Sequence, residues 1–142
     1  MAIKNVFKDT QALKEQITNL SVDALQAKMD RVAQGETLLI DLREIQELLE
    51  LGTIPGAKHV PRGMMEFWAD PASPYYRDYF SEDADIVVFC AGGGRSVYAT
   101  LALQDMGFQN VAHLEVGFNG WQKAGGAVED ISATSKWMKK PR

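Results

Sequence analysis

The residues best suited to chemistry lie in one short stretch, residues 87–99, with the sequence VVFCAGGGRSVYA. This stretch contains the only cysteine of the chain, Cys90, at the end of an apolar run that is typical of a buried strand. A cysteine becomes a nucleophile when it loses its proton, so the question is whether its surroundings favour a thiolate. The residues expected to contact a substrate beside it are Ala91, Gly92, Gly93, Gly94 and Arg95.

A tight loop between a strand and a helix explains why these residue types occur together. Glycine lets the backbone adopt unusual dihedral angles and approach a ligand closely. The backbone N–H groups of residues 91–95 can then turn inward as an anion-binding nest, and the N-terminus of a helix at Ser96 adds partial positive charge. Such a field favours the thiolate, so the loop predicts a site for a negatively charged sulfur.

The rest of the chain predicts the layers that must hold this loop. Short apolar runs predict strands over residues 37–42, 57–61, 84–90 and 110–115. Spacing and composition predict helices over residues 10–20, 21–33, 43–51, 96–106 and 118–125, with Ser21 as an N-cap. We therefore expect an α/β fold with a central parallel sheet of about five strands and helices on both faces. Ligands of such sheets bind beyond the carboxyl ends of the strands, where Cys90 falls.

Length, charge and cysteine usage exclude several classes of protein. The 142 residues fit a single domain, and a net charge of −4 argues against nucleic acid or an acidic membrane as partner. No apolar stretch approaches the ~20 residues of a membrane span, and the N-terminus has no hydrophobic signal core. One cysteine cannot form an internal disulfide, and two histidines far apart predict no metal site and no cofactor. We expect a cytoplasmic protein with a reduced thiol.

The chain divides into three expected parts. Residues 1–34 are expected to form helices packed on a domain of residues 35–130, followed by a polar basic tail over residues 131–142. The N-terminal helices either cover one face of the sheet or form a dimer contact, and the sequence does not choose. We expect the basic cluster of the tail to be solvated; it consists of Lys136, Lys139, Lys140 and Arg142.

Four motifs resemble, in order, those of the single-domain rhodanese-like sulfurtransferases. CAGGGRS resembles their active-site loop, and LLIDLRE resembles their Asp-x-Arg strand. GTIPGAKHVP and MGFQNVAHLEVGFNGWQKAG resemble two further elements of the same family. Together the motifs span about 90 residues, most of a domain of ordinary size. The resemblance implies a rhodanese-like fold.

Loop length separates this family from the cysteine phosphatases and arsenate reductases, which the loop also resembles. Those phosphatases hold one more residue between cysteine and arginine, and a histidine commonly precedes the cysteine. Here residues 91–94 intervene and Phe89 precedes. A smaller bowl suits a sulfur atom better than a tetrahedral phosphate, so the spacing favours sulfur transfer.

By resemblance, the reaction is a double displacement through a Cys90 persulfide. The thiolate would take a sulfane sulfur from thiosulfate or a persulfide and hand it to a thiol, to cyanide or to a protein acceptor. The N–H groups of residues 91–95 would stabilise the terminal sulfur as an oxyanion hole does. Arg95 either binds the anionic donor or braces the loop through a carboxylate, and both roles stay open. The alternative from another class is a non-catalytic interaction module on the same scaffold.

Residues outside the loop have expected structural roles. Asp41 and Arg43 are expected to form an ion pair that holds strand ends rather than an acid–base pair, and Ser96 to cap the helix that follows. His113 is expected to be a packed or rim histidine, and for His59 a role near the site is the less favoured alternative. Core packing is expected for Phe108, Leu114 and Trp121.

Two further regions bear on the width of the pocket. Phe67 and Trp68 are expected in the core, whereas Met64 and Met65 are either core or a pocket wall. Val116 stands where the related family commonly has the first of two glycines. If that position needs a positive φ, valine must shift the turn and alter the pocket wall.

Overall fold

A five-stranded parallel sheet organises residues 2–135, the part of the chain that the computed structural model describes. The strand order is β1-β5-β4-β2-β3, and each neighbouring pair is parallel. The strands are β1 (Thr18–Leu20), β2 (Thr37–Asp41), β3 (Lys58–His59), β4 (Asp85–Phe89) and β5 (Asn110–Leu114). The expected parallel α/β architecture is confirmed.

Seven helices surround the sheet in the described residues. They are α1 (Val6–Leu13), α2 (Val22–Gln26), α3 (Met29–Ala33), α4 (Ile45–Leu51), α5 (Met65–Ala69), α6 (Arg95–Met106) and α7 (Gly117–Lys123). Single 3₁₀ turns cover Lys14–Gln16 and Arg62–Met64. Within residues 2–135, none of these helices is long and apolar enough to cross a membrane.

Two apolar clusters form the core, and the alternation of β4 assigns one to each face of the sheet. Ile86 and Val88 belong to the first cluster, and Val87 and Phe89 to the second. Successive strand side chains point to opposite faces, so the two clusters lie on opposite sides. The second cluster includes Trp121, and the core positions expected for Phe108, Leu114 and Trp121 are confirmed.

The predicted helix over residues 10–20 is wrong in its second half. Helix α1 ends at Leu13, and Thr18–Leu20 form the edge strand that pairs with β5. The Asn19 side-chain amide donates to the carbonyl oxygens of Lys14 (2.8 Å) and Ile17 (3.2 Å), which favours a turn and strand over a continued helix. Residues 2–34 therefore contribute a strand as well as helices, and the domain boundaries stay a prediction.

The helix predicted over residues 21–33 consists of two short helices, α2 and α3. Ser21 is the N-cap of α2 as expected, because its hydroxyl accepts the Ala24 N–H at 3.1 Å. The basic cluster predicted at residues 136–142 lies outside the described residues.

The apolar residues of helix α5 differ in how deeply they are buried. Met65 and Ala69, four residues apart, share the face buried in the core, and Trp68 packs against them partly buried. Phe67 points away and is 58% exposed, so its expected core position is wrong. The helix is too short to bury more than one side.

Candidate active site

The cysteine loop connects the end of β4 to the start of α6 and rests on the first turn of α7. The carbonyl oxygen of Cys90 accepts the N–H of Phe118 at 2.8 Å, and that of Ala91 accepts the N–H of Asn119 at 3.0 Å. Gly117, with φ of 65°, permits this approach, since a Cβ there would collide with the Ala91 carbonyl. The loop and the β5–α7 turn therefore hold each other in place.

Gly93 is the loop glycine that the structure requires to be a glycine. Its φ is 99°, and a Cβ on it would collide with the carbonyl oxygen of Glu115. Neither Gly92 nor Gly94 has a positive φ, and nothing lies within 4 Å of a Cβ added to either residue. In the conformation that Gly93 adopts, its N–H donates to Cys90 Sγ at 3.2 Å. Of the backbone N–H groups expected to form the nest, the Gly93 N–H donates to Cys90 Sγ. That residues 91–95 also stabilise a sulfur atom bound to Cys90 stays a prediction.

Cys90 is 1% exposed but lies at the floor of a cleft of about 560 Å³. One wall of the cleft comes from α1 and the turn after it, and the other from the cysteine loop and α6. The lining residues from outside the loop are Val6, Phe7, Thr10, Gln11, Lys14 and Tyr98. Tyr98 donates its hydroxyl proton to Asp9 at 2.7 Å, which fixes α1 against α6.

The expected pocket wall of Met64, Met65 and Val116 is not found around this cleft. Met65 is fully buried in the core on one face of the sheet. Val116 has a φ of −89°, an ordinary helical value, so valine shifts nothing; the positive φ of this turn belongs to Gly117 instead. Sequence reasoning missed the α1 wall; the only signal for it in the sequence was the apolar pair Val6 and Phe7, just before the predicted polar helix.

Arg95 braces the loop through a carboxylate that sequence reasoning did not identify. Its Nη1 and Nη2 each lie 2.9 Å from an oxygen of Glu47, a residue of α4. The hydrogen bonds to Arg95 hold the pKa of Glu47 below its usual value, although partial burial opposes them. The same pair raises the pKa of Arg95, and the nearby Cys90 sulfur adds to that effect. Of the two roles left open, bracing is the one this geometry supplies.

Asp41 and Arg43 form the expected ion pair at the strand ends, and both are fully buried. The Arg43 Nε and Nη2 atoms donate to the two Asp41 oxygens at 3.0 and 2.8 Å. The Thr53 hydroxyl donates to Asp41 Oδ2 at 2.8 Å, and Arg43 Nη2 also donates to the Gly52 carbonyl oxygen at 2.7 Å, whereas the buried Nη1 has no hydrogen-bond partner. The guanidinium lies 4.1 Å from the ring centroid of Phe118. The pair therefore fastens β2 to the segment after α4. His59 packs beside it, its Nε2 2.7 Å from the Arg43 carbonyl oxygen.

Ser96 does not cap the helix, so that expectation is wrong. Helix α6 begins one residue earlier, at Arg95, and Ser96 points inward with no exposed surface. Its Oγ lies 3.6 Å from Cys90 Sγ and 2.8 Å from Nδ1 of His113. The site thus includes a histidine that was expected only to pack.

His113 is buried in β5, with its Nε2 2.6 Å from Oδ1 of Asn19 in β1. Burial, and secondarily the charge of Lys14, lowers the pKa of His113 to about 4, so its ring is neutral at pH 7. Across residues 2–135, no three histidine, cysteine or acidic side chains are grouped so that they could hold a metal ion.

Comparison with known proteins places this geometry in a family. The family model described as "Rhodanese-like domain" matches residues 21–124. A protein named sulfurtransferase from Allochromatium vinosum is 30% identical over 96 residues, which are 67% of this chain and 81% of that protein. A tRNA uridine(34) hydroxylase from Xylella fastidiosa is 38% identical over 95 residues, or 66% of this chain. The chain spans 35% of the length of the first curated relatives that it matches.

A solved structure extends the similarity to nearly the whole chain. It is a protein of unknown function from Rhodopseudomonas palustris, described as a possible tyrosine phosphatase. It is 37% identical, superposes with a TM-score of 0.83, and covers 91% of this chain and 97% of its own.

Proposed function

The chain belongs to the rhodanese-like family, and we propose that it is a sulfurtransferase that carries a sulfane sulfur on Cys90. The single observation that supports this most is the position of Cys90 Sγ, on the floor of an open cleft with the Gly93 N–H directed at it from 3.2 Å. A sulfur atom added to Sγ would extend into the cleft, between the loop and α1. A purely structural thiol needs neither feature.

The reaction proceeds in two displacements. In the first, Sγ attacks the outer sulfur of the donor; a new S–S bond forms, and the donor's own bond to that sulfur breaks with its electron pair on the leaving group. The N–H groups of residues 91–95 stabilise the terminal sulfur anion of the Cys90 persulfide. In the second, an acceptor thiolate or cyanide attacks the terminal sulfur, and Cys90 leaves as a thiolate.

The cleft favours an organic persulfide over thiosulfate as the donor. A volume of about 560 Å³ is far larger than a small inorganic anion needs, and Val6 and Phe7 offer apolar surface within it. The guanidinium of Arg95, the obvious ligand for a dianion, already binds Glu47 through both of its forked nitrogens. The ammonium of Lys14 remains at the cleft for an anionic group on an organic donor.

The proposal is tested by intact-protein mass measurement after incubation with thiosulfate and, separately, with an aromatic persulfide. We expect one added sulfur atom, removed by cyanide and absent in Cys90→Ser, which lacks the only cysteine. Failure of both donors to load Cys90 overturns the proposal. Turnover of an aryl phosphate without sulfur loading would indicate a phosphatase instead.

The donor class is tested with a matched pair of phenylalanine variants. Phe7 is 78% exposed on the cleft wall, and Phe67 is 58% exposed on α5, outside the cleft lining. Phe7→Ser should lower the loading rate with the aromatic persulfide by about tenfold, the equivalent of roughly 1.4 kcal/mol of apolar contact, and leave thiosulfate loading unchanged. Phe67→Ser should change neither. Equal rates for Phe7→Ser and the unmodified protein would exclude α1 as a donor wall.

A further inference from the structure

A continuous line of hydrogen bonds runs from the cysteine into the sheet. Sγ of Cys90 lies 3.6 Å from Oγ of Ser96, which lies 2.8 Å from Nδ1 of His113. The other ring nitrogen, Nε2, lies 2.6 Å from Oδ1 of Asn19. Cys90, Ser96 and His113 have at most 1% of their surface exposed, so these three side chains are shielded from bulk water, while Asn19 at the end of the line is partly exposed.

The Asn19 amide determines where the histidine proton sits. Its Nδ2 donates to the carbonyl oxygens of Lys14 and Ile17, at 2.8 and 3.2 Å. Its Oδ1 is therefore the atom that faces His113, and a carbonyl oxygen only accepts. The proton of the neutral imidazole must lie on Nε2, which leaves Nδ1 as an acceptor.

The same reasoning orients the serine. The Ser96 hydroxyl donates its proton to Nδ1 of His113, because that nitrogen has none to give. An oxygen lone pair of Ser96 is then left for the S–H of Cys90, at 3.6 Å. Every group in the line donates in one direction, from the thiol toward Asn19.

We propose that Ser96 and His113 take up the Cys90 proton during attack on the sulfur donor and return it when Cys90 becomes the leaving group. The S–H proton moves to Ser96 Oγ while the Ser96 proton moves to His113 Nδ1. The thiolate then accepts the Ser96 O–H, and the imidazolium donates to both Ser96 and Asn19, so no polar atom loses its partner. In the second displacement both protons move back, and the thiol is restored.

His113 is in this scheme a positioning residue that acts through Ser96, and the group that touches the reacting sulfur is Ser96. The sulfur steps rest on the proposed function, whereas the proton step concerns the thiol alone. A proton acceptor held in place for this purpose commonly contributes ~10²–10⁴-fold to a rate.

The charges around His113 favour its neutral form between turnovers. Lys14 opposes the imidazolium, and burial does so more strongly; together they lower the pKa of His113 to about 4. Strands β1 and β5 contain no other ionisable side chain. Strand β4 has Asp85 at its far end, and α6 has Arg95 paired with Glu47, Tyr98 paired with Asp9, and Asp105 near its far end. The other ionisable groups of the packed elements are Glu15, beside Lys14, and Lys123 in the last turn of α7.

The test is the pH dependence of Cys90 alkylation by iodoacetamide, a neutral reagent that needs no sulfur donor. Ser96→Ala and His113→Gln should react at least about tenfold more slowly at pH 7 and regain rate at higher pH, so their profiles shift upward. Ser96→Thr, which keeps the hydroxyl, should restore the profile. Thr100→Val is the matched control: Thr100 is buried on the same helix and donates to the Ser96 carbonyl at 2.8 Å, and its loss should shift nothing.

Alkylation profiles of Ser96→Ala that superpose on the unmodified protein would overturn the proton path. Ser96→Ala removes one buried hydroxyl and adds no bulk, so it decides the matter even if His113→Gln fails to fold. An absence of sulfur loading in the unmodified protein would instead overturn the sulfurtransferase proposal, and the alkylation profiles would still report on the proton.

Discussion

The three consecutive glycines of the cysteine loop allow an internally controlled test of the site. Gly92, Gly93 and Gly94 differ in what a methyl group would meet: only at Gly93 does an added Cβ collide with backbone, at the Glu115 carbonyl oxygen. Gly92→Ala, Gly93→Ala and Gly94→Ala therefore each add one methyl group to the same loop, but only the methyl group at position 93 meets fixed backbone.

The size of the effect follows from two costs at Gly93. A side chain at a φ of 99° costs about 1–2 kcal/mol, and forcing a methyl group against fixed backbone costs about 1–3 kcal/mol more. We expect Gly93→Ala to lower the free energy of unfolding by about 2–5 kcal/mol. Any relief moves the loop away from Glu115 and withdraws the Gly93 N–H from Cys90 Sγ, so sulfur loading should also fall. Gly92→Ala and Gly94→Ala should stay within about 1 kcal/mol of the unmodified protein.

Urea unfolding and the rate of sulfur loading, measured on all three variants, check both parts. The urea result depends only on the fold, whereas the loading result also requires that the protein is a sulfurtransferase. If Gly93→Ala unfolds at the same urea concentration as Gly92→Ala and loads at the same rate, the close approach of Gly93 to Glu115 does not shape this site.

Two further predictions concern buried polar groups. Because the pKa of His113 falls from 6.5 to about 4 on folding, the unfolded chain binds more protons between these values, and the free energy of unfolding should drop by about 2 kcal/mol from pH 7 to pH 4.5. His113→Gln should lose most of this acid sensitivity in urea unfolding, and an equal drop in both proteins would contradict the assignment. Asp41→Asn leaves the buried Arg43 uncompensated and should cost about 3–5 kcal/mol, whereas Glu66→Gln, which breaks the partly exposed pair with Arg62, should cost under about 1 kcal/mol. Equal thermal unfolding temperatures for these two variants would show that the buried Asp41–Arg43 pair stabilises the fold no more than the partly exposed Arg62–Glu66 pair.

The parts of the fold that could be predicted are those in which several local signals agree. The strands β2 and β4 are continuous apolar runs, and the loop after β4 combines a cysteine, glycines and a helix start within a few residues. Each of these features is set by neighbours in sequence, so a single chain displays them. The parallel sheet follows, because buried strands that alternate with helices have few other arrangements.

The parts that could not be predicted depend on contacts between distant residues. Strand β1 has three residues, too few to show a period, and only its pairing with β5 makes it a strand. Glu47 and Arg95 are 48 residues apart, and Asn19 and His113 are 94 apart. Ser96 was assigned to a cap because serine is typical there, whereas its direction is set by where β5 places His113.

The N-terminal segment contributes more to the site than its composition indicates. The match to the rhodanese-like family covers residues 21–124, which include Cys90, the loop glycines and both ends of the Arg95–Glu47 pair. Residues 2–20 supply the apolar wall of the cleft from α1 and, through Asn19, the amide that fixes the His113 tautomer. The part of the chain that matches the family therefore contains Cys90 and the loop around it. In the proposed reaction, residues 2–20 would supply the apolar wall that faces the donor and the Asn19 oxygen that orients His113.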